Sequence, residues 1–394
     1  MAKRGSDMRA SGIRVLGISL ATAIASTLPG PASADETENE RDGVVRVSAY
    51  DLPESAFLSD ESRSAMKYFR DVYLRELITF ANDCGDLSAV DGDLVRAREI
   101  RDCVSTRYFE TNIYKDTLKK HPVEISSENI AGVYTEIFVP KEGVSERNKD
   151  RLLISIHGGG FTAGARSFSH TESIQVADIG EIKVISPDYR QAPEYRHPSA
   201  VDDVLAVYEE MLKTYEPANI GVYGCSAGAM LTAQLVARII TEGLPLPAAV
   251  GMFCAGAPVT MGETPGAFKA SNGESAYFSS AMTGNPRPAD KLIDTQVMPY
   301  FLGVDADDPT VAPADHDDVM ARFPPSLLIS GTRDFLLSDV LATHRQLTNL
   351  GVEADLHIWE GLGHATFAFN PRLPESDEVH QVIVRFFDKH LGND

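Results

Sequence analysis

Short apolar segments alternate with amphipathic segments along most of the chain, and this alternation limits the possible folds more than any other sequence feature. Strands are predicted at Val123–Ile125, Val133–Val139, Leu152–Ile156, Lys183–Ser186, Ile220–Tyr223, Ala249–Cys254, Ser326–Ser330 and Asp355–Trp359. Helices are predicted at Thr171–Gly180, Val201–Tyr215, Ala227–Thr241, Val340–Leu350 and Glu378–His390. Short apolar strands that alternate with helices predict an α/β protein with a mostly parallel central sheet flanked by helices.

Size and charge narrow the class of protein further. The chain has 394 residues, which is ample for a large core, and about 150 residues per domain would allow two or three domains. It carries 57 acidic and 36 basic residues, a net charge of −21. Such an acidic surface repels phosphate backbones and anionic lipids. We therefore expect no nucleic-acid partner and no binding to a membrane surface.

The first residues have the layout of a secretory signal peptide. Basic residues precede the uncharged run Val15–Leu28, and Ala32-Ser33-Ala34 then forms an A-x-A cleavage site. The apolar run is shorter than the ~20 residues that span a bilayer, so a stable membrane anchor is not expected. We predict that residues 1–34 are removed near Ala34 and that the protein is exported, to a periplasm or to the medium. Residues 35–60 are predicted to be a flexible acidic N-terminus.

Two further stretches lie outside the regular alternation. Apolar residues at every third or fourth position predict a helix from Ser62 to Phe80, and a second helix is predicted from Leu87 to Val104. Residues 261–318 are rich in proline, glycine and aspartate. A structureless loop of that length would be unusual inside a compact domain, so we expect an insertion that packs over one edge of the sheet.

The four cysteines have spacings that do not match a zinc site, and no metal is expected. Cys84 and Cys103 lie near one another in the N-terminal region, and in an oxidising compartment they could form a disulfide. The sequence leaves open whether they are bridged or remain two separate thiols. Cys225 and Cys254 lie in apolar segments and are interpreted as small buried residues.

The pentapeptide Gly224-Cys225-Ser226-Ala227-Gly228 matches the pattern G-x-S-x-G. It follows a predicted strand and opens a predicted helix, which is the setting of a nucleophile elbow. The small residues let strand and helix approach, and the turn exposes the hydroxyl of Ser226 above the helix N-terminus, where negative charge is favoured. We therefore predict that Ser226 is a nucleophile.

A second glycine-rich segment, His157-Gly158-Gly159-Gly160, also follows a predicted strand. Glycine lets backbone N–H groups face a substrate oxygen with no Cβ in the way. We predict an oxyanion hole formed by the N–H groups of Gly158, Gly159 and Ala227. The alternative is a turn that only links a strand to a helix. His157 is interpreted as a structural hydrogen-bonding residue rather than the catalytic base.

A serine nucleophile needs a histidine base and a carboxylate to orient that base. In elbow folds these partners follow later strands, in the order serine, acid, histidine. Asp334 comes directly after the predicted strand Ser326–Ser330, and His364 follows Asp355–Trp359. We therefore predict the triad Ser226, Asp334 and His364. Asp339 is a rival acid, but its position favours a role at a helix start.

Together these motifs resemble those of the hormone-sensitive-lipase-like (family IV) esterases of the α/β-hydrolase fold. The resemblance rests on residues 157–160, 188–194 (DYRQAPE), 224–228, 331–334 with Asp339, and 363–364. It implies a catalytic domain over residues 120–394 with a helical cap, which residues 61–119 and 261–318 would supply. The family often has an acidic residue where Cys225 stands, and usually a hydrophobic residue where Gln191 stands.

The resemblance implies a serine carboxylesterase that hydrolyses short- to medium-chain acyl esters without a cofactor. The partner would be a small-molecule ester, and attack by Ser226 would give an acyl-serine intermediate. Two alternatives remain open from the sequence. The same triad would serve a hydrolase of lactones or amides, and some homologues of this fold bind ligands without catalysis. The sequence leaves the oligomeric state open.

Overall fold

Eight strands form the central sheet, in the spatial order β1-β2-β4-β3-β5-β6-β9-β10. The strands are β1 Val123–Ile130, β2 Val133–Pro140, β3 Leu152–Ile156, β4 Val184–Pro187, β5 Ile220–Cys225, β6 Ala249–Phe253, β9 Ser326–Arg333 and β10 Ala354–Gly363. β7 Ala267–Phe268 and β8 Gln296–Val297 form a separate antiparallel pair. In the central sheet, β2 pairs antiparallel with both β1 and β4, and the other neighbours are parallel. The predicted α/β architecture with a mostly parallel sheet is confirmed.

This computed structural model describes residues 51–85, 94–257, 267–268, 296–297, 299–305 and 307–392. The predicted signal peptide, most of the predicted acidic N-terminus and much of the predicted insertion lie outside these residues. The chain from Glu54 onward forms one compact unit. The division of that unit into catalytic domain and cap stays a prediction. In the part of the chain that is described, the helices are all too short or too polar to cross a membrane.

Helices cover both faces of the sheet. They are α1 Asp60–Tyr68, α2 Leu74–Cys84, α3 Leu94–Tyr108, α4 Asn112–Lys120, α5 Phe168–Gly180, α6 Ser199–Met211, α7 Ala227–Glu242, α8 Asp317–Met320, α9 Leu337–Asn349, α10 Thr366–Phe369 and α11 Pro374–His390. One face packs against α6, α7 and α9 through residues such as Val204 and Leu235, and the other packs against α5 and α11 through Val176 and Phe387. Because both faces are covered, β3, β5 and β6 are buried along their whole length, which explains their continuous apolar sequences.

The N-terminal helices differ in detail from the prediction. The stretch predicted as one helix from Ser62 to Phe80 is α1 and α2 joined by a π-helical turn, Phe69–Tyr73. A disulfide joins Cys84 at the end of α2 to Cys103 in α3. Of the two arrangements that the sequence left open, the structure has the bridge, which ties these two helices together.

Candidate active site

Ser226 lies at the sharp turn between β5 and α7, with φ 59° and ψ −122°. A positive φ is strained for a residue with a side chain, so the surrounding structure must hold it in place. The flanking glycines permit the turn because nothing larger fits. A Cβ at Gly228 would lie 1.8 Å from the carbonyl oxygen of Ile156, and one at Gly224 would lie 2.3 Å from the carbonyl oxygen of Gly228. The strand–turn–helix setting predicted for this segment is therefore present.

Ser226, His364 and Asp334 lie together at the carboxyl end of the sheet and form a continuous hydrogen-bond chain. His364 Nε2 is 2.9 Å from Ser226 Oγ, and His364 Nδ1 is 2.7 Å from Asp334 Oδ1. Ser226 follows β5, while Asp334 and His364 follow the neighbouring strands β9 and β10. The sheet thus brings together three residues that are far apart in sequence.

The carboxylate of Asp334 is fixed by groups close to it in the chain. It is fully buried, and its Oδ1 also accepts a hydrogen bond from the backbone N–H of Leu336 at 2.9 Å. Its Oδ2 accepts one from the Ser330 hydroxyl at 3.0 Å. The rival acid, Asp339, lies in the first turn of α9, at the helix start where it was predicted. The geometry therefore favours Asp334 as the partner of His364.

The glycine loop, residues 157–166, requires one correction to the predicted oxyanion hole. The N–H of Gly158 already donates to the buried carboxyl group of Glu172, 3.2 Å from each oxygen. That N–H therefore points away from the space in front of Ser226. The other two predicted donors remain suitable, because the N–H groups of Gly159 and Ala227 have no acceptor among the described residues. Gly160 follows Gly159 at the exposed end of the loop.

Glu172 was not found by sequence reasoning. It lies in α5, and its burial raises the pKa of its carboxyl group well above the ordinary value, against the opposing effect of the Gly158 hydrogen bond. Burial therefore favours the neutral form of the carboxyl group, because a neutral acceptor under the glycine loop costs less free energy than a buried charge. The helix contains both polar and apolar residues, so a glutamate within it is not conspicuous in the sequence. Its partner is a backbone N–H, which no residue type in the sequence would identify.

His157 is buried and contacts the segment that follows β4, which is the structural role that the sequence suggested. Burial lowers the pKa of its imidazole to about 4, so the ring is neutral at pH 7. It stacks on Tyr189 with ring centroids 4.2 Å apart. The hydroxyl of Tyr189 in turn donates to the backbone carbonyl of His157 at 2.8 Å. These contacts connect the glycine loop to the segment that follows β4.

Cys254 is buried, as the sequence predicted, but its position beside His364 was not found by sequence reasoning. Its thiol belongs to a cluster with Asp334 and His364 in which the polar atoms lie within 4.8 Å of one another. Cys225 and Cys254 are both buried and free. Burial raises the pKa of the Cys254 thiol, which keeps it protonated and neutral. His364 and Asp334 are already hydrogen-bonded to each other, and His364 is also hydrogen-bonded to Ser226. Cys254 is therefore interpreted as a neutral neighbour of the histidine.

Comparisons with known proteins show which family the chain belongs to. Residues 153–368, more than half of the chain, match a family model described as the alpha/beta hydrolase fold. An acetyl-hydrolase of Streptomyces hygroscopicus is 27% identical over 252 residues, which cover 62% of this chain and 78% of that protein. The crystal structure of an esterase, E25, is 27% identical with a TM-score of 0.69, and the match covers 88% of this chain and 99% of that one.

A further solved structure has the same fold. An esterase from the bacterial hormone-sensitive lipase family is 23% identical with a TM-score of 0.62, covering 85% of this chain and 99% of that one, a likeness that shows a shared fold. The chain belongs to the α/β-hydrolase-fold family, and it is a carboxylic ester hydrolase of that family. The resemblance to the hormone-sensitive-lipase-like esterases drawn from the motifs is thereby confirmed.

Proposed function

We propose that this protein hydrolyses short- to medium-chain acyl esters by a serine acyl-transfer mechanism, with Ser226 as the nucleophile, His364 as the base and Asp334 as the acid that orients the base. The observation that carries the proposal is the hydrogen-bond chain from Ser226 Oγ through His364 to Asp334, with distances of 2.9 Å and 2.7 Å. Hydroxyl, imidazole and carboxylate in this order are the groups that general-base catalysis by serine requires.

In the first step the Ser226 oxygen attacks the ester carbonyl carbon while His364 Nε2 takes the hydroxyl proton. Asp334 accepts the hydrogen bond from Nδ1–H, which fixes the tautomer and stabilises the imidazolium. Collapse of the tetrahedral intermediate breaks the bond to the alcohol, which leaves with the proton from His364. In the second step water attacks the acyl-serine, and His364 acts as base and then as acid again.

The negative charge on the substrate oxygen would be held by backbone donors. We propose that the N–H groups of Ala227 and Gly159 are two of these donors and that Gly160 supplies the third instead of Gly158. The reason is that Gly160 is exposed beside Gly159, whereas the N–H of Gly158 is bound to Glu172. One such donor is worth about 10²–10³ in rate.

The acyl-chain preference rests on the relatives. One of them is named an acetyl-hydrolase and another an esterase, which supports short acyl groups for this chain. We also propose that the protein is exported after cleavage near Ala34. The Cys84–Cys103 disulfide supports this, because disulfides persist in oxidising compartments and are rare in the cytosol.

The proposal is tested by measuring the hydrolysis of p-nitrophenyl acetate, butyrate and decanoate by the native chain and by Ser226→Ala. We expect the native chain to prefer acetate and butyrate, and the variant to lose at least about 10⁴-fold in kcat because the nucleophile is gone. Equal rates from the two proteins would refute the triad. A preference for decanoate would refute the chain-length assignment alone.

A further inference from the structure

One residue of α3 reaches across to the glycine loop and to the segment that follows β4. Arg101 Nε donates to the carbonyl oxygen of Thr162 at 2.9 Å, and Nη2 donates to that of Ala192 at 3.0 Å. Its two terminal nitrogens also form a bidentate pair with Glu194, at 2.8 Å and 2.7 Å. Both side chains are mostly buried, with 14% and 6% of their surfaces exposed. All three guanidinium nitrogens of Arg101 thus donate hydrogen bonds inside the protein.

The loop that Arg101 contacts has an unusual backbone. Phe161 and Arg166 have φ values of 62° and 53°, and Gly159, Gly160 and Gly164 are also at positive φ. Left-handed residues with side chains are unfavourable, so such a loop keeps its shape only when its surroundings hold it there. In the proposed oxyanion hole, the N–H of Gly159 is the donor from this loop that faces the substrate. Its direction therefore depends on the contacts that hold residues 161–166.

Two of those contacts come from α3. Besides the bond from Arg101 to Thr162, the hydroxyl of Ser105 donates to the carbonyl oxygen of Ala165 at 2.9 Å. The helix itself is fixed to α2 by the disulfide at Cys103. It lies outside residues 153–368, which the family model covers. The loop is therefore held by an element outside the residues that match the family model.

We infer that Arg101 is a positioning residue for the oxyanion hole, acting from α3 through the backbone of the glycine loop. This inference rests on the proposed function and adds to it a requirement for the N-terminal helices in catalysis. Arginine suits the role because its planar fork can bind two carbonyl oxygens and a carboxylate at once, whereas lysine offers a single charged nitrogen. Loss of the side chain would also leave the buried carboxylate of Glu194 without its partner.

The test compares Arg101→Ala, Arg101→Lys and a control, Arg98→Ala, on the same helix with an exposed side chain. Each is assayed for kcat and KM on p-nitrophenyl butyrate and for the Ki of an aryl trifluoromethyl ketone. In this inhibitor's adduct the Ser226 oxygen bonds to the ketone carbon, the C=O π pair moves to the oxygen, and His364 takes the hydroxyl proton. Its Ki therefore reports on the oxyanion hole.

For Arg101→Ala we expect kcat to fall about 10- to 100-fold, because small displacements of catalytic donors have effects of that size. We expect KM to stay within about threefold and the Ki of the ketone to rise by about the same factor as kcat falls. Arg101→Lys should recover part of both losses, and Arg98→Ala should match the native chain.

The Ki separates positioning from simple loss of folded protein. A partly unfolded sample has a lower apparent kcat, but the Ki of its folded fraction is unchanged. A native Ki in Arg101→Ala, whatever its kcat, would overturn the inference. Failure of the proposed function has a different signature, since the native chain would then show no turnover that depends on Ser226.

Discussion

The two halves of the site are held in different ways. The nucleophile half, made of Ser226, His364 and Asp334, lies directly at the ends of β5, β10 and β9 of one sheet. The carboxylate of Asp334 is held by groups close to it in sequence. The oxyanion half is the glycine loop, residues 157–166. It also follows a strand, but its conformation depends on Glu172 from α5 and Arg101 from α3.

The two halves therefore differ in what fixes the positions of their catalytic groups. Strand pairing fixes the positions of residues at the strand ends through a ladder of backbone hydrogen bonds, which tolerates most side-chain changes. A strained loop depends on a few particular side chains, so distant substitutions can change its geometry. We therefore expect mutations in the nucleophile half to remove chemical groups, whereas mutations around the oxyanion half alter donor positions.

The largest effect in this comparison is expected from Asp334→Asn. The amide fits the same space but no longer fixes the tautomer of His364, so we expect kcat to fall about 10³- to 10⁴-fold with little change in KM. Steady-state kinetics on p-nitrophenyl butyrate measure this. Asp339→Asn is the matched control and should stay within about threefold of the native rate. If Asp339→Asn were the more damaging change, the assignment of the acid would be wrong.

Next in size is the contrast between two adjacent glycines of the loop. Gly159 has φ 115°, and a Cβ there would lie 2.1 Å from the carbonyl oxygen of Ala163. Gly160 has φ 63°, and the nearest atom to its Cβ would be Thr162 Oγ1 at 3.9 Å. We expect Gly159→Ala to lose about 100-fold or more in kcat and Gly160→Ala to lose less than tenfold. Comparable losses would show that the loop is less tightly constrained than we describe.

A smaller effect tests the support beneath the loop. Burial raises the pKa of the Glu172 carboxyl group well above its ordinary value, which favours the neutral form. Glu172→Gln keeps a neutral acceptor for the N–H of Gly158, and we expect kcat within about threefold of the native value. Glu172→Leu leaves that N–H unsatisfied, at a cost of about 1–3 kcal/mol, and we expect roughly a tenfold loss of kcat.

Comparing Glu172→Gln with Glu172→Leu shows whether the loop requires the charge of this carboxyl group or only its acceptor oxygen. If Glu172→Gln were as damaging as Glu172→Leu, the charge on the carboxylate, rather than its acceptor oxygen, would be what the loop requires. Thermal unfolding of each variant, followed by circular dichroism, provides the control for folding.

The smallest expected effect concerns the pH dependence of stability and comes from His380. This residue lines a small cavity together with Glu172 and Cys225. Burial lowers the pKa of His380 to about 4 from an ordinary value of 6.5. The folded protein therefore holds this ring neutral, and the unfolded chain takes up its proton first as the pH falls. The stability associated with a neutral His380 is complete above pH 6.5 and is lost as the pH falls toward 4.

Comparison with His380→Asn isolates this effect, because the other titrating groups are common to both proteins. The amide of asparagine can still donate to the Ser376 carbonyl oxygen, which His380 Nδ1 contacts at 2.7 Å. We expect the free energy of unfolding of the native chain, relative to the variant, to fall by about 2–3 kcal/mol between pH 7.5 and 4.5. Denaturant titrations at the two pH values measure it, and a constant difference would contradict a neutral buried ring.

The nucleophile half was predictable because its information is local. The apolar strand, the small residues around Ser226 and the order of serine, acid and histidine can be read from the sequence without knowing any side-chain contact. The same holds for the parallel sheet, since buried strands have continuous apolar sequences. Helix ends were predicted less well, and the π-helical turn at Phe69–Tyr73 has no periodic signal of its own.

The oxyanion half was only partly predictable. The three consecutive glycines indicate a donor loop, but they do not show which N–H faces the substrate. That depends on the acceptor for Gly158, a glutamate 14 residues further along the chain, which only the folded structure identifies. Arg101 and Cys254 are similar cases, because their roles arise from packing between elements that are far apart in sequence.

The proposed mechanism requires Ser226 to be an activated nucleophile. The most direct measurement is to react the native chain with a fluorophosphonate and to locate the label by peptide mass spectrometry. We predict one label per chain, on the peptide that contains Ser226, and none in Ser226→Ala or after the native chain is denatured. An unlabelled native chain that is folded, or a label on another residue, would contradict the claim.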